Sequence, residues 1–223
     1  MYFPSPEIAH RYETMTISTD DQSLEIVVLN RGESKAILYF GGNGESVVAN
    51  APRYTEIFAM QTVYLVNYRG YGGSTGNPTE KTIYADAQLL YDKVSPQHTG
   101  ISVIGRSLGS GVATLLASTR KIDKMVLITP YDSIRNIAQD QYPMFPIDYL
   151  LLDKFDSVSR IKSIDSSTLI IIAELDSIIP SKYSDRLIDE FPAAQVSVNV
   201  IRGAGHNDLS YRDSYYELLH NFM

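Results

Sequence analysis

Hydrophobic positions along this chain fall into short runs separated by polar, helix-compatible stretches. Residues 10–19 and 23–32 alternate with the two-residue period of strands, and Asp20-Asp21-Gln22 between them reads as a turn, so the chain opens with a predicted antiparallel hairpin. Apolar, β-branched or aromatic runs follow at 35–41, 61–68, 100–106, 122–129, 167–174 and 196–202. In the run at 100–106, Ile101, Val103 and Ile104 have the character of a strand covered on both faces. Helical patterns occupy the intervals around 46–59, 79–96, 107–120, 181–191 and 210–222, the second opening with Thr79-Glu80-Lys81-Thr82 and the fourth with Pro180-Ser181. This strand and helix alternation predicts an α/β fold: a mostly parallel sheet of about eight strands, helices on both faces, and ligands at the carboxyl ends of the strands.

One interval breaks the rhythm. Residues 130–166 are too long for a simple crossover and hold Pro130, Pro143 and Pro146 among many aromatics. They predict a cap or lid at about 131–166. Its Tyr142, Met144, Phe145, Ile147, Tyr149, Leu150 and Leu151 either line an apolar acyl pocket or seat the insertion on the core.

Composition narrows the function classes. With 223 residues, 44% hydrophobic and 20% charged, the whole of 1–223 suits a single domain with a substantial core. A net charge of −7 without any Lys/Arg cluster argues against nucleic acid as a partner. The chain has no cysteine, which removes disulfides, thiolate metal sites and cysteine nucleophiles. The first residues lack the regions of a signal peptide and no apolar run reaches membrane-spanning length, so a soluble, cytoplasmic protein without an integral membrane anchor is expected.

The candidate chemistry centres on Gly105-Arg106-Ser107-Leu108-Gly109, a Gly-x-Ser-x-Gly pentapeptide between a predicted strand and a predicted helix. A serine on so sharp a turn is pushed out toward substrate, while the flanking glycines remove side chains that would collide with neighbouring chain. A hydroxyl is a poor nucleophile near neutral pH and needs a base, which in turn needs an orienting group. Of the four histidines, His10, His98, His206 and His220, only His206 follows a late strand in a glycine-rich loop, Gly203-Ala204-Gly205-His206. The acid is expected after the strand between serine and histidine, where Asp176 stands. Glu174 is its rival by strand alternation, and helix capping near Pro180 is the structural alternative for Asp176. Negative charge developing on a carbonyl oxygen calls for aimed amides. Leu108, at the start of its helix, and the loop Phe40-Gly41-Gly42-Asn43-Gly44-Glu45 are the candidates, with Asn43 favoured as the second donor and Gly42 beside it in the substrate pocket together with Tyr142, Phe145 and Tyr149.

These motifs, with Asn67-Tyr68-Arg69-Gly70-Tyr71-Gly72-Gly73-Ser74-Thr75-Gly76, Asp153-Lys154-Phe155-Asp156-Ser157 and the loop from Asp176 to Pro180, make the chain resemble α/β-hydrolases. It is similar to the small acyl-protein-thioesterase-like α/β-hydrolase domain proteins and to serine-aminopeptidase-like hydrolases. The order Ser107, Asp176, His206 is that of α/β-hydrolases rather than of chymotrypsin or subtilisin. The resemblance implies the α/β-hydrolase fold with its eight-stranded sheet, a triad of those three residues, and ester, thioester or amide substrates. The expected activity is a serine hydrolase, needing neither metal nor cofactor, that cleaves esters or thioesters of short to medium acyl chains through an acyl-enzyme on Ser107. A serine-aminopeptidase-like peptidase, with Asp132, Asp140 or Asp148 near a substrate amine, and a catalytically weak binding module on the same scaffold are the alternatives. The chain departs from the family in one respect: the usual His-Gly-Asn of the oxyanion loop is Gly41-Gly42-Asn43 here. It also lacks the membrane anchors and lipidated N-terminal cysteines of some relatives, which argues against a membrane-bound lipidated protein as substrate. Arg69 and Arg106 are each expected to pair with a carboxylate or to meet substrate.

Overall fold

Alternate residues of nearly every central strand are buried in opposite directions, and this double burial organises the molecule. In a computed structural model describing residues 1–19 and 22–223, eight strands form one sheet: β1 (Glu13–Thr19), β2 (Gln22–Leu29), β3 (Lys35–Phe40), β4 (Gln61–Val66), β5 (Gly100–Arg106), β6 (Lys124–Ile128), β7 (Ser167–Ala173) and β8 (Val196–Ile201). Their order is β1-β2-β4-β3-β5-β6-β7-β8, with β1 and β2 paired antiparallel, β2 antiparallel to β4, and every later pair parallel. The hairpin register opposes Thr19 and Gln22. Of the expected turn, Gln22 begins β2, and Asp20 and Asp21 lie outside the described residues.

Ala36, Leu38, Phe40, Val103, Met125, Leu127, Ile170 and Ile172 belong to one core; Ile37, Tyr39, Ile104, Val126, Ile128, Leu169 and Ile171 belong to the other. Each fully buried aliphatic side chain contributes roughly 1.5–3 kcal/mol relative to exposure. Helices α2 (Glu80–Val94) and α3 (Leu108–Thr119) cover the first face, α2 through Ile83, Ala87, Leu90 and Val94 at helical spacing. Helices α1 (Ala51–Ile57) and α7 (Asp213–Phe222) cover the second with Tyr54, Tyr215 and Leu219. Helix α2 opens on the reciprocal hydrogen bonds of Thr79 and Thr82, a capping box. The helix expected over 46–59 divides into a 3-10 turn, Val47–Asn50, and α1, because Pro52 carries no amide and fits only a first turn.

Between β6 and β7 the cap contains α4 (Ile134–Gln141), α5 (Ile147–Leu150) and a 3-10 turn, Val158–Ser163; α6 (Ser181–Ile188) follows β7. The cap is seated by fully buried Tyr131, Phe155 and Ile161, with Phe155 edge-on to Tyr84 of α2, 5.4 Å between ring centroids. Among the described residues no helix is long and apolar enough to cross a membrane.

Arg69, in the loop after β4, donates through Nε and Nη2 to both oxygens of Asp86 on α2, each at 2.8 Å. Both side chains are largely buried, so removal of Asp86 takes two charge-assisted hydrogen bonds from a desolvated guanidinium. Asp86→Ala is expected to destabilise the fold by about 3–5 kcal/mol, read as a lower urea midpoint with an unchanged slope. A loss under 1 kcal/mol, on the order of an exposed pair, would contradict the bracing role.

Candidate active site

Strand β5 runs directly into α3 through Ser107, whose backbone sits at φ 49°, ψ −115°. A non-glycine residue pays of order 1–3 kcal/mol for such a conformation, and the turn is held by hydrogen bonds from Ser107 N to Ile128 O at 2.8 Å and from Ser110 N to Ser107 O at 2.9 Å. The two flanking glycines are fixed by contact. A Cβ on Gly105 would lie 2.3 Å from Gly109 O, and one on Gly109 only 2.0 Å from Phe40 O.

The sheet order brings the ends of β5, β7 and β8 to one rim. Ser107 Oγ lies 2.9 Å from His206 Nε2, and His206 Nδ1 lies 2.7 Å from Asp176 Oδ2. All three side chains are nearly inaccessible: Ser107 and His206 are 9% and 8% exposed, and the Asp176 carboxylate 2%. An ionised carboxylate can only accept, which places the imidazole proton on Nδ1 and leaves Nε2 to accept from the serine hydroxyl. The other Asp176 oxygen accepts the amides of Ile178 and Ile179 at 2.9 and 2.7 Å. Asp176 therefore both caps its loop and meets the histidine. Glu174 turns away, accepting the Gly203 amide at 2.8 Å. The remaining histidines make other contacts: His98 bonds Tyr64 and Glu33, His220 bonds Ile57 O, and the His10 ring lies 5.9 Å from that of Tyr12.

A cavity of about 230 Å³ opens on Ser107 and His206, walled by Phe3, Gly42, Asn43, Arg106, Ile178 and Asn207. Gly42 and Asn43 thus lie where the sequence places them. A methyl on Gly42 would come 3.6 Å from Ser107 Cβ. The Gly42 amide is taken by Glu45 Oε2 at 2.6 Å, so Asn43 is the next amide along that loop. The Leu108 amide opens α3, where no intrahelical acceptor is available.

Tyr142, Phe145 and Tyr149 do not line this cavity, which corrects the expected acyl pocket. They are 55%, 56% and 88% exposed. The cap turns Tyr131, Phe155 and Ile161 inward instead, Ile147 is buried, and an ion pair from Arg135 to Asp148 lies on the outer surface of 142–152. The apolar walls near Ser107 are Phe3 and Ile178, which sequence reasoning missed because neither belongs to a periodic element.

Glu45 was also missed. Its Oε1 accepts from Tyr39 Oη at 2.5 Å and Asn50 Nδ2 at 2.7 Å, and its Oε2 from Gly42 N and from Arg106 Nη1 at 2.9 Å. Burial alone would raise this carboxyl, but the Arg106 guanidinium and these donors hold it below its ordinary value. Burial, reinforced by the Glu45 charge, keeps the Tyr39 phenol well above its ordinary value and so a donor. Arg106 Nη2 reaches on to His206 O and Asn207 Oδ1, both at 3.1 Å. The Arg106–Glu45 pair therefore ties the 41–45 loop to the histidine loop. A carboxylate three residues after Gly42 and an arginine inside the pentapeptide were the available signal.

No family model matches the chain. An uncharacterized protein of Mycobacterium tuberculosis is 34% identical over 182 residues, covering 79% of this chain and 64% of the relative, so the chain spans just under two thirds of that protein's length. The α/β hydrolase domain-containing protein aho-3 of Caenorhabditis elegans is 30% identical over 165 residues, 72% of this chain and 48% of the relative. Among solved structures, an esterase of Pyrococcus furiosus superposes with a TM-score of 0.75 at 18% identity, covering 99% of this chain and 98% of the esterase.

Proposed function

Because the chain belongs to the α/β-hydrolase superfamily, we propose that it is a serine hydrolase that cleaves carboxylic esters or thioesters through an acyl-enzyme on Ser107. The observation that carries this reading is the continuous hydrogen-bonded series from Ser107 through His206 to Asp176 at the floor of a cavity.

In the proposed reaction the Ser107 oxygen attacks the acyl carbon while its proton passes to His206 Nε2. The imidazolium is stabilised by Asp176, and the carbonyl oxygen, now negative, accepts from the amides of Leu108 and Asn43. Collapse expels the alkoxide or thiolate, which takes the proton from His206. Water then repeats the sequence: His206 removes its proton, hydroxide adds to the acyl carbon, and the returning proton restores Ser107 as the carboxylic acid leaves. A cavity of about 230 Å³ lies below the roughly 300–1,000 Å³ that encloses drug-sized ligands, which favours short to medium acyl groups.

The peptidase alternative draws no support from the cap carboxylates. Asp132 pairs with Arg186, Asp140 with Lys182 and Asp148 with Arg135, so each already has a cation. Steady-state assays of p-nitrophenyl butyrate and of a butyryl thioester test the reading. Multiple turnover is expected; a single stoichiometric burst without turnover would favour the binding-module alternative.

The Glu45 brace gives a separate expectation. Glu45→Gln keeps the shape but loses the charge that Arg106 meets, loosening the loop that carries the Asn43 amide. A fall of roughly 10- to 100-fold in kcat with little change in KM is expected, less than the 10²–10³ of deleting an oxyanion donor outright. An unchanged kcat would remove Glu45 from the positioning of the loop. Since the folded-state value of this carboxyl is depressed, its contribution to stability is present at neutral pH and is lost as pH falls through that depressed value.

A further inference from the structure

The residues before β1 have no periodic pattern, yet they make a dense set of contacts beside Ser107. The Phe3 amide donates to Asn43 Oδ1 at 2.9 Å and to Tyr71 Oη at 3.2 Å, and Tyr71 Oη itself donates to Asn43 Oδ1 at 2.6 Å. Asn43 Nδ2 donates to Met1 O at 2.8 Å, so both ends of this one amide side chain are held by the same short segment. Ser5 Oγ donates to Glu45 O at 3.0 Å, and Ser5 O accepts from Gly72 N at 3.0 Å. Tyr2 Oη reaches across to Asp153 Oδ2 of the cap at 2.8 Å. Residues 1–5 thus form a strap beside the site, reaching the cavity at Phe3 and fastened to the 41–45 loop, to the loop after β4 and to the cap.

We propose that this strap is the specificity element of the site, with the Phe3 ring as the wall that limits the length of the acyl group accepted beside Ser107. The inference rests on the serine hydrolase reading and names the feature that selects its substrates. Two observations separate the ring from the strap's fastening. Phe3 is held by its main chain, through its amide, so the ring is free to serve the cavity. Phe3 borders the cavity while remaining 69% exposed, so it stands at the rim, where an acyl chain leaving the enclosed space would meet its ring. The other apolar residue of the cavity wall is Ile178, 53% exposed. An acyl chain lying between these two side chains would cover both. The same strap holds Asn43, so the element that measures the acyl group also fixes the loop expected to supply an oxyanion donor.

The test uses the full chain and a series of p-nitrophenyl esters from acetyl to decanoyl, comparing wild type with Phe3→Ala and Phe3→Trp. Phe3→Ala retains every strap hydrogen bond, and truncation of a side chain at the rim is expected to leave Tm nearly unchanged. Its ratio of kcat/KM for octanoyl over acetyl ester should rise about tenfold or more, the scale of discrimination that one methylene produces in an apolar pocket. Phe3→Trp should shift the ratio the opposite way. An unchanged ratio in both variants, with wild type turning over esters, overturns the role of Phe3 and leaves the hydrolase reading standing. Absence of turnover of any ester or thioester by wild type overturns the hydrolase reading, and this inference falls with it.

Discussion

Ser107→Ala is expected to lower kcat/KM for any ester substrate by roughly 10⁴- to 10⁶-fold, the range seen when a triad nucleophile is deleted and only binding and oxyanion stabilisation remain. Fold should survive, because the turn is held by main-chain bonds from Ser107 N and to Ser107 O that alanine also makes. Stability gives an independent reading of the same residue. At φ 49°, ψ −115°, glycine relieves strain of order 1–3 kcal/mol against an entropic cost of about 0.5–1 kcal/mol. Ser107→Gly is therefore expected to be inactive and more stable, with Tm raised by a few degrees. A destabilised Ser107→Gly protein would show that the conformation is not strained. Activity retained within tenfold in Ser107→Ala would remove Ser107 as nucleophile.

Asp176→Asn is the second large effect, about 10⁴-fold in kcat, by the reasoning that an amide at this position reverses the tautomer preference of the histidine. Asparagine offers either an oxygen or an N–H to His206 Nδ1. When it donates, Nδ1 must accept and Nε2 carries the proton, so the base for Ser107 is lost. The oxygen bonded by Ile178 N and Ile179 N fixes which way the amide turns. Those two amides need an acceptor, so the asparagine oxygen faces them and its NH₂ faces the histidine. Glu174→Gln serves as the control. Its carboxylate meets Gly203 N rather than the histidine, and kcat should change less than about threefold, as for an exposed residue that keeps its acceptor. Equal losses in the two variants would contradict the assignment of the acid.

Much of the architecture is legible because the central strands are buried on both faces. Continuous runs such as Ala36-Ile37-Leu38-Tyr39-Phe40 and Leu169-Ile170-Ile171-Ile172-Ala173 have little other use in a chain of this composition, and both are strands with alternate residues in opposite cores. Ends are less legible. The first strand begins at Glu13 rather than at residue 10; the rings of His10 and Tyr12 meet at a 40° tilt, 5.9 Å apart, ahead of the ladder. The site divides in the same way. Ser107, Asp176 and His206 each follow a strand, so their convergence is a consequence of parallel topology that the order of elements predicts. The walls obey no such rule. Aromatic content in 142–152 indicates apolar surface without direction, and the structure turns Tyr149 and Leu152 outward, 88% and 90% exposed. Phe3 reaches the cavity through hydrogen bonds to residues 40 and more positions away, a relation with no local signature. Glu45 and Arg106 lie between these cases, since opposite charges within two glycine-rich turns at neighbouring strand ends are a readable, though unspecific, complement.

The most direct test of the central claim is covalent labelling of native protein with a fluorophosphonate, followed by intact mass and peptide mapping. One phosphonyl group per chain is expected, located on the peptide containing Ser107, and absent from Ser107→Ala. Unmodified wild-type protein, or an adduct mapped to another residue, would contradict the account.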